Sequence, residues 1–87
     1  MRHARPEDLE RLPVLLAGLR RETSLVERRP GIFYLRRRAF LHFHEHAGSL
    51  VADLRQAEQF VRYPVGTTEQ QAQLLTKVHE TVKAASG

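Results

Sequence analysis

Apolar residues near the start of the chain recur every three or four positions, which is the spacing of one face of a helix. The stripe comprises Leu9, Leu12, Leu15, Leu16 and Leu19. Pro6 suits the first position of this helix, because a residue there needs no backbone N–H. Pro13 lies inside the segment, and its ring would clash with the preceding turn, so we expect a kink or a restart there.

The same periodicity returns near the other end of the chain. Thr67 and Gln70 have the spacing of a capping box, in which each side chain accepts a hydrogen bond from a free backbone N–H of the first turn. The helix that follows is predicted to bury the stripe Ala72, Leu75, Val78, His79 and Val82.

Between the two helices the pattern changes to short runs that alternate between apolar and polar residues, which predicts β-strands. Four strands are expected at residues 32–35, 38–46, 50–55 and 60–65, joined by short turns, with residues 23–29 as a connector. Short connections favour antiparallel neighbours. We therefore predict a single α+β domain over residues 1–87, in the order α-β-β-β-β-α. Its four-stranded antiparallel meander sheet would carry both helices on one face.

Short hairpin turns also set the register of the strands. They place His42 opposite Asp53 and Asp53 opposite Arg62. The face expected to pack on the helices comprises Ile32, Tyr34, Leu41, Phe43, Leu50, Ala52, Leu54, Val61, Tyr63 and Val65. The other face mixes apolar and polar residues: Phe33, Leu35, Phe40, His42, His44, Val51, Asp53, Arg55, Phe60 and Arg62. Two helices cannot cover both faces, so this mixed face is expected to meet solvent, a ligand or a second subunit.

Composition narrows the function classes. No apolar run has the length of a membrane span, and acidic residues interrupt the N-terminal segment, so neither a membrane partner nor a signal peptide is expected. The absence of cysteine excludes disulfides and thiolate chemistry. A chain without disulfides is compatible with the reducing cytoplasm, where we expect this protein. A formal net charge of +4 raises nucleic acid as a partner. However, 12 of the 14 basic residues are arginine, which is common in bacterial proteins from G+C-rich genomes.

Histidines stand at three alternate positions, His42, His44 and His46. Alternation places them on the mixed face, and histidines two apart on a strand can share a metal ion. Asp53 could add a carboxylate, but Arg62 beside it would compete with a cation. The alternative is that His42, Asp53 and Arg62 form a row across three strands in which their polar groups pair with one another and no metal is bound. We therefore expect no cofactor, and a metal or catalytic site at His42 and His44 is the second hypothesis.

Two other functions have less support. A hydrolase needs a nucleophile beside a base, and neither Ser24 nor Ser49 has such a setting. Arg36, Arg37 and Arg38 at a hairpin tip could bind phosphate, but a run of charges usually marks an exposed turn. Only weak association with nucleic acid, independent of its sequence, is expected.

The stretch R-A-F-L-H-F-H at residues 38–44, then Gly48-Ser49-Leu50, and finally Arg62-Tyr63-Pro64, resembles the core of the so-called luciferase domain family of bacteria and fungi. That family typically reads R-x-F-x-H-x-H, then G-S-L-H, a tryptophan and H-P. This chain has Val51 and Tyr63 in place of the two later histidines, and it has no tryptophan. Residues 33–45 also resemble short bacterial proteins that carry F-Y-x-R-x-R-A-F-L-H-F-H-E. Neither resemblance implies a mechanism.

Together these patterns favour a non-enzymatic binding or self-association module that uses the mixed face. Its expected surface comprises Phe33, Phe40, His42, His44, Asp53, Phe60 and Arg62. Exposed apolar patches usually mark an interaction site, and a twofold homodimer would cover the same patch on both subunits. We therefore expect a homodimer.

Overall fold

The predicted α+β class and antiparallel sheet are confirmed, but the sheet has six strands rather than four. The computed structural model describes residues 1–86, with the side chains of residues 1–85. Its elements are β1 (Arg2–His3), α1 (Pro6–Leu9), α2 (Pro13–Arg20), β2 (Leu25–Arg29), β3 (Ile32–Leu35), β4 (Arg38–His46), β5 (Ser49–Gln56), β6 (Gln59–Pro64) and α3 (Thr68–Ser86). The strands run in the order β2-β3-β4-β5-β6, and β1 pairs with β4.

The two additional strands come from segments without an alternating pattern. Residues 25–29, predicted as a connector, form β2 beside β3, and the turn between them uses Gly31 at a φ of +76°. β1 has only two residues, which pair with Glu45 and His44 beyond the end of β3. A two-residue strand is too short to show a periodicity.

The three hairpins that join β3 to β4, β4 to β5 and β5 to β6 turn on residue pairs 36–37, 47–48 and 57–58, all with positive φ. Positive φ at both central residues characterises type I′ turns, whose twist matches that of the strands. Among these six residues only Gly48 is a glycine, and the other five have φ between +49° and +71°. The turn at Ala47-Gly48 has a glycine to mark it, whereas the other two have neither Asn nor Gly and are marked only by their position between two strands.

A β-bulge in the β3–β4 hairpin changes which face several residues occupy. The register begins as predicted, with Tyr34 opposite Ala39, but Phe33 then pairs with Leu41 and leaves Phe40 as the extra residue. Phe33 and Phe40 are 1% and 3% exposed and belong to the hydrophobic core. Their predicted place on the mixed face was therefore wrong. The bulge also turns Ile32, now opposite His42, away from the helices.

The helices pack on the face of the sheet that carries Leu41, Phe43 and Leu54. Pro13 separates α1 from α2, so the expected break is a restart. α2 approaches α3 closely at Gly18, where a Cβ atom would lie 2.8 Å from Cδ2 of Leu75. No helix within residues 1–86 is both long enough and apolar enough to cross a membrane.

The start of α3 confirms the predicted capping box. The backbone N–H of Gln70 donates to Oγ1 of Thr67, and that of Thr67 donates to Oε1 of Gln70, both at 3.1 Å. The helix buries Leu74, Val78 and Val82, whereas Ala72 and His79 of the predicted stripe are exposed. The buried stripe therefore lies slightly to one side of the predicted one.

Candidate functional site

The candidate site lies on the open face, which we define as the side of the sheet turned away from the helices. Five of the predicted site residues are on this face: His42, His44, Asp53, Phe60 and Arg62. The predicted pairings of Asp53 with His42 and with Arg62 are confirmed. Phe33 and Phe40 are not part of this surface, because the bulge directs them into the core.

Three histidines converge at the centre of the open face. His3 of β1 pairs with His44 of β4, and the centroids of their rings are 4.6 Å apart. The ring of His42 lies 4.9 Å from that of His44 and 5.7 Å from that of His3. One ligand nitrogen from each ring can be chosen so that all three lie within 4.8 Å of one another. The third member of the cluster is thus His3, which the sequence analysis did not single out, whereas His46 is exposed near the end of β4.

Asp53 lies beneath this cluster as an ionised carboxylate. Nε and Nη2 of Arg62 each donate a hydrogen bond of 2.9 Å to one of its two oxygens. These bonds are the main reason that the pKa of the Asp53 carboxyl lies below its usual range, against the opposing effect of burial. The negative charge of Asp53 is therefore compensated within the protein by Arg62.

The Nδ1 atoms of His42 and His44 are buried, and neither makes a hydrogen bond with any described residue. Nδ1 of His44 lies 3.0 Å from Oδ2 of Asp53, which is close enough for an ion pair but lacks hydrogen-bond geometry. Burial is the largest effect on both rings and lowers the pKa of His42 and of His44, although Asp53 acts in the opposite direction. Both imidazoles are therefore neutral at pH 7, the state in which histidine binds a metal ion.

An aromatic side chain borders the cluster on the β6 side. The ring centroid of Phe60 lies 4.9 Å from that of His42, and Phe60 is 42% exposed. The guanidinium of Arg55 lies 4.6 Å from the centroid of the Phe60 ring, and its Nε donates to the carbonyl oxygen of Ala39 at 2.8 Å. The histidines thus have a partly exposed apolar neighbour and a nearby cation.

The arginine run at the β3–β4 turn does not form a comparable cluster. Arg38 donates to both carboxylate oxygens of Glu58, at 2.9 and 2.8 Å, which compensates its charge. Arg36 and Arg37 are exposed at the turn. This leaves two solvated charges where the sequence suggested three.

The chain matches no protein-family model, no curated protein and no solved structure. The resemblance to the luciferase domain family therefore stays a prediction. The geometry of the histidine cluster is therefore the main indication of function.

The cluster has the donors that a borderline-soft divalent cation prefers. Zinc binds histidine nitrogens at about 2.0–2.1 Å, so two ligands of a tetrahedral site lie about 3.3 Å apart. The nitrogens lie within 4.8 Å of one another, so binding a zinc ion would require side-chain rotations that draw them closer. Three imidazole ligands suit zinc, copper or nickel better than calcium or magnesium, which prefer oxygen ligands.

Proposed function

We propose that this chain is a non-enzymatic binding module that holds a divalent transition-metal ion on its open face, with His3, His42 and His44 as ligands. The observation that carries the proposal is the convergence of these three side chains from two strands, with ligand nitrogens within 4.8 Å of one another.

The two buried Nδ1 atoms support the proposal. A buried nitrogen without a hydrogen bond costs about 1–3 kcal/mol, so each such atom calls for a physical explanation. A metal ion would be bound by one nitrogen of each ring and would turn the rings to suit its geometry. A small rotation of His44 would direct its Nδ1–H at Asp53, 3.0 Å away, and leave Nε2 for the metal.

Asp53 and Arg62 then have a supporting role. Histidine ligands usually donate their second N–H to a carboxylate, which fixes the tautomer and the orientation of the ring. Asp53 is placed to accept from His44, and Arg62 holds Asp53 in position with two hydrogen bonds. Arg62, which the sequence suggests as a competitor of the cation, would therefore help to orient one of its ligands.

Zinc titration by isothermal calorimetry tests this function. We expect one ion per chain, and we expect His3→Ala, His42→Ala and His44→Ala each to weaken binding at least about tenfold, because each removes a ligand. His46→Ala is the matched control, since His46 is exposed on the same strand as two of the ligands. Absence of binding, or equal losses in His3→Ala and His46→Ala, would show that the cluster is not a metal site.

We also propose that the open face mediates self-association as a homodimer, in a cytoplasmic setting. Val26 of β2 and Phe60 of β6 leave apolar surface exposed on this face, at 57% and 42%. These two residues lie on opposite edge strands of the sheet, and Phe33 and Phe40 are in the core, so the exposed apolar surface is smaller and less continuous than the sequence suggests. The metal site is therefore the first candidate and the homodimer the second.

A further inference from the structure

We infer that the proposed metal ion takes its fourth ligand from solution, and that this ligand is the carboxylate of a small molecule with an apolar group. The inference rests on the proposed function, because it needs the metal ion at His3, His42 and His44. It adds the chemical class of the ligand that the site would bind.

Among the described residues, three histidines and no fourth ligand group meet at this point. Zinc sites in proteins are almost always four-coordinate, so three histidines leave one position. Both oxygens of Asp53 already accept hydrogen bonds from Arg62. Glu45, the acidic residue next to His44, accepts a bond from the backbone N–H of Gly48 at 2.6 Å and contacts Arg2 at 3.4 Å. Neither carboxylate is available without breaking these contacts.

The charge of the loaded site would favour an anion. An imidazole bound to a metal ion carries no charge of its own, so three histidine ligands leave both positive charges of the ion uncompensated, and a bound cation dominates the electrostatics of its surroundings. The charge of Asp53 is already compensated by Arg62. Arg55 adds a further cation, and among the described residues only its Nε makes a hydrogen bond. An anionic oxygen ligand would therefore bind better than a neutral one.

The surroundings favour a ligand that also has an apolar part. The helices of the described chain pack on the opposite face of the sheet, and His3 is exposed, so a molecule from solution can reach the metal position. Phe60 lies beside His42 and keeps part of its ring accessible. An apolar group bonded to the carboxylate would remove part of that ring from water, which is favourable.

Cobalt-loaded protein provides the test, since the visible absorption of Co²⁺ changes with its coordination. We expect both acetate and benzoate to give saturable spectral changes, with benzoate bound at least threefold more tightly. Phe60→Ala should remove this difference. Arg55→Gln should weaken both carboxylates about three- to tenfold, whereas the matched variant Arg55→Lys, which keeps the charge, should stay within about twofold of the wild type.

The possible results separate the two proposals. Failure of the protein to bind Co²⁺ would overturn the metal site and this inference with it. Binding of Co²⁺ without a spectral response to either carboxylate would overturn the inference alone and indicate that water or hydroxide fills the fourth position. Tighter binding of inorganic phosphate than of benzoate would also overturn it, because the site would then select charge rather than an apolar carboxylate.

Discussion

Phe33 lies opposite Leu41 across the β3–β4 ladder, one residue out of step with the register that begins at the Arg36-Arg37 turn. The bulge that causes this shift places Phe33, Phe40 and Leu41 together in the hydrophobic core. One extra residue in a hairpin thus moves two aromatic side chains from a predicted interaction surface to the interior. Because of this single shift, the open face has less apolar surface than the sequence predicts.

The stability of Phe40 variants tests the bulge directly. Phe40→Ala should lower the free energy of unfolding by about 3–5 kcal/mol, because it removes a buried ring and leaves a cavity. Urea denaturation measures the loss, and Phe60→Ala is the control, since Phe60 is 42% exposed and its truncation should cost clearly less, about 1 kcal/mol. Similar small losses in both variants would place Phe40 on the surface, as the unshifted register requires.

The turn at Arg36 and Arg37 should gain stability from residues that favour positive φ. Both residues have φ in the left-handed region, at +53° and +70°, where side chains with a Cβ are strained. The double substitution Arg36→Asn with Arg37→Gly should therefore raise the free energy of unfolding by about 1 kcal/mol. A lower melting temperature in thermal denaturation would contradict the turn geometry.

The hydrogen bonds of Glu27 should make the stability of the fold depend on pH. Its carboxylate accepts hydrogen bonds from Arg20, at 2.7 and 3.0 Å, and from the backbone N–H of Gly31 at 3.0 Å. The bonds from Arg20 contribute most to lowering the pKa of Glu27. A carboxyl with a lower pKa in the folded than in the unfolded state stabilises above its unfolded pKa of about 4.3, and this contribution is lost as the pH falls further.

Glu27→Gln should consequently cost about 1 kcal/mol at pH 7 and less at pH 3, because lowering the pH protonates the wild-type carboxylate and removes the charge that the mutation also removes. Urea denaturation at both pH values gives the difference. Glu10→Gln changes an exposed carboxylate and is the matched control. An equal loss at both pH values would mean that the charge of Glu27 does not stabilise the fold.

Self-association is tested by light scattering coupled to size-exclusion chromatography. The homodimer is the second proposal, and it would compete with a carboxylate from solution because it covers Phe60. It predicts a dimer at high micromolar concentration that Phe60→Asp dissociates, because the substitution would bury an unpaired charge in the twofold interface. Val14→Asp is the control, since Val14 is exposed on α2, away from the open face. A wild-type monomer under these conditions would leave the open face to the metal site alone.

The features that local pattern alone determined are those whose cause lies within a few residues. The capping box of Thr67 and Gln70 and the restart at Pro13 are of this kind. The alignment of His42, Asp53 and Arg62 across three strands also belongs here, because two-residue turns propagate their register along the strands.

Tertiary structure decided the rest, because those features depend on contacts between distant residues. His3 joins His44 only through a two-residue strand that pairs about forty residues further along the chain, and so short a segment has no periodicity of its own. The bulge at Phe40 likewise follows from the space beneath the helices, where burying Phe33, Phe40 and Leu41 together outweighs the interrupted ladder. Alternation along a strand predicts two faces, but only the packed core determines where the alternation shifts.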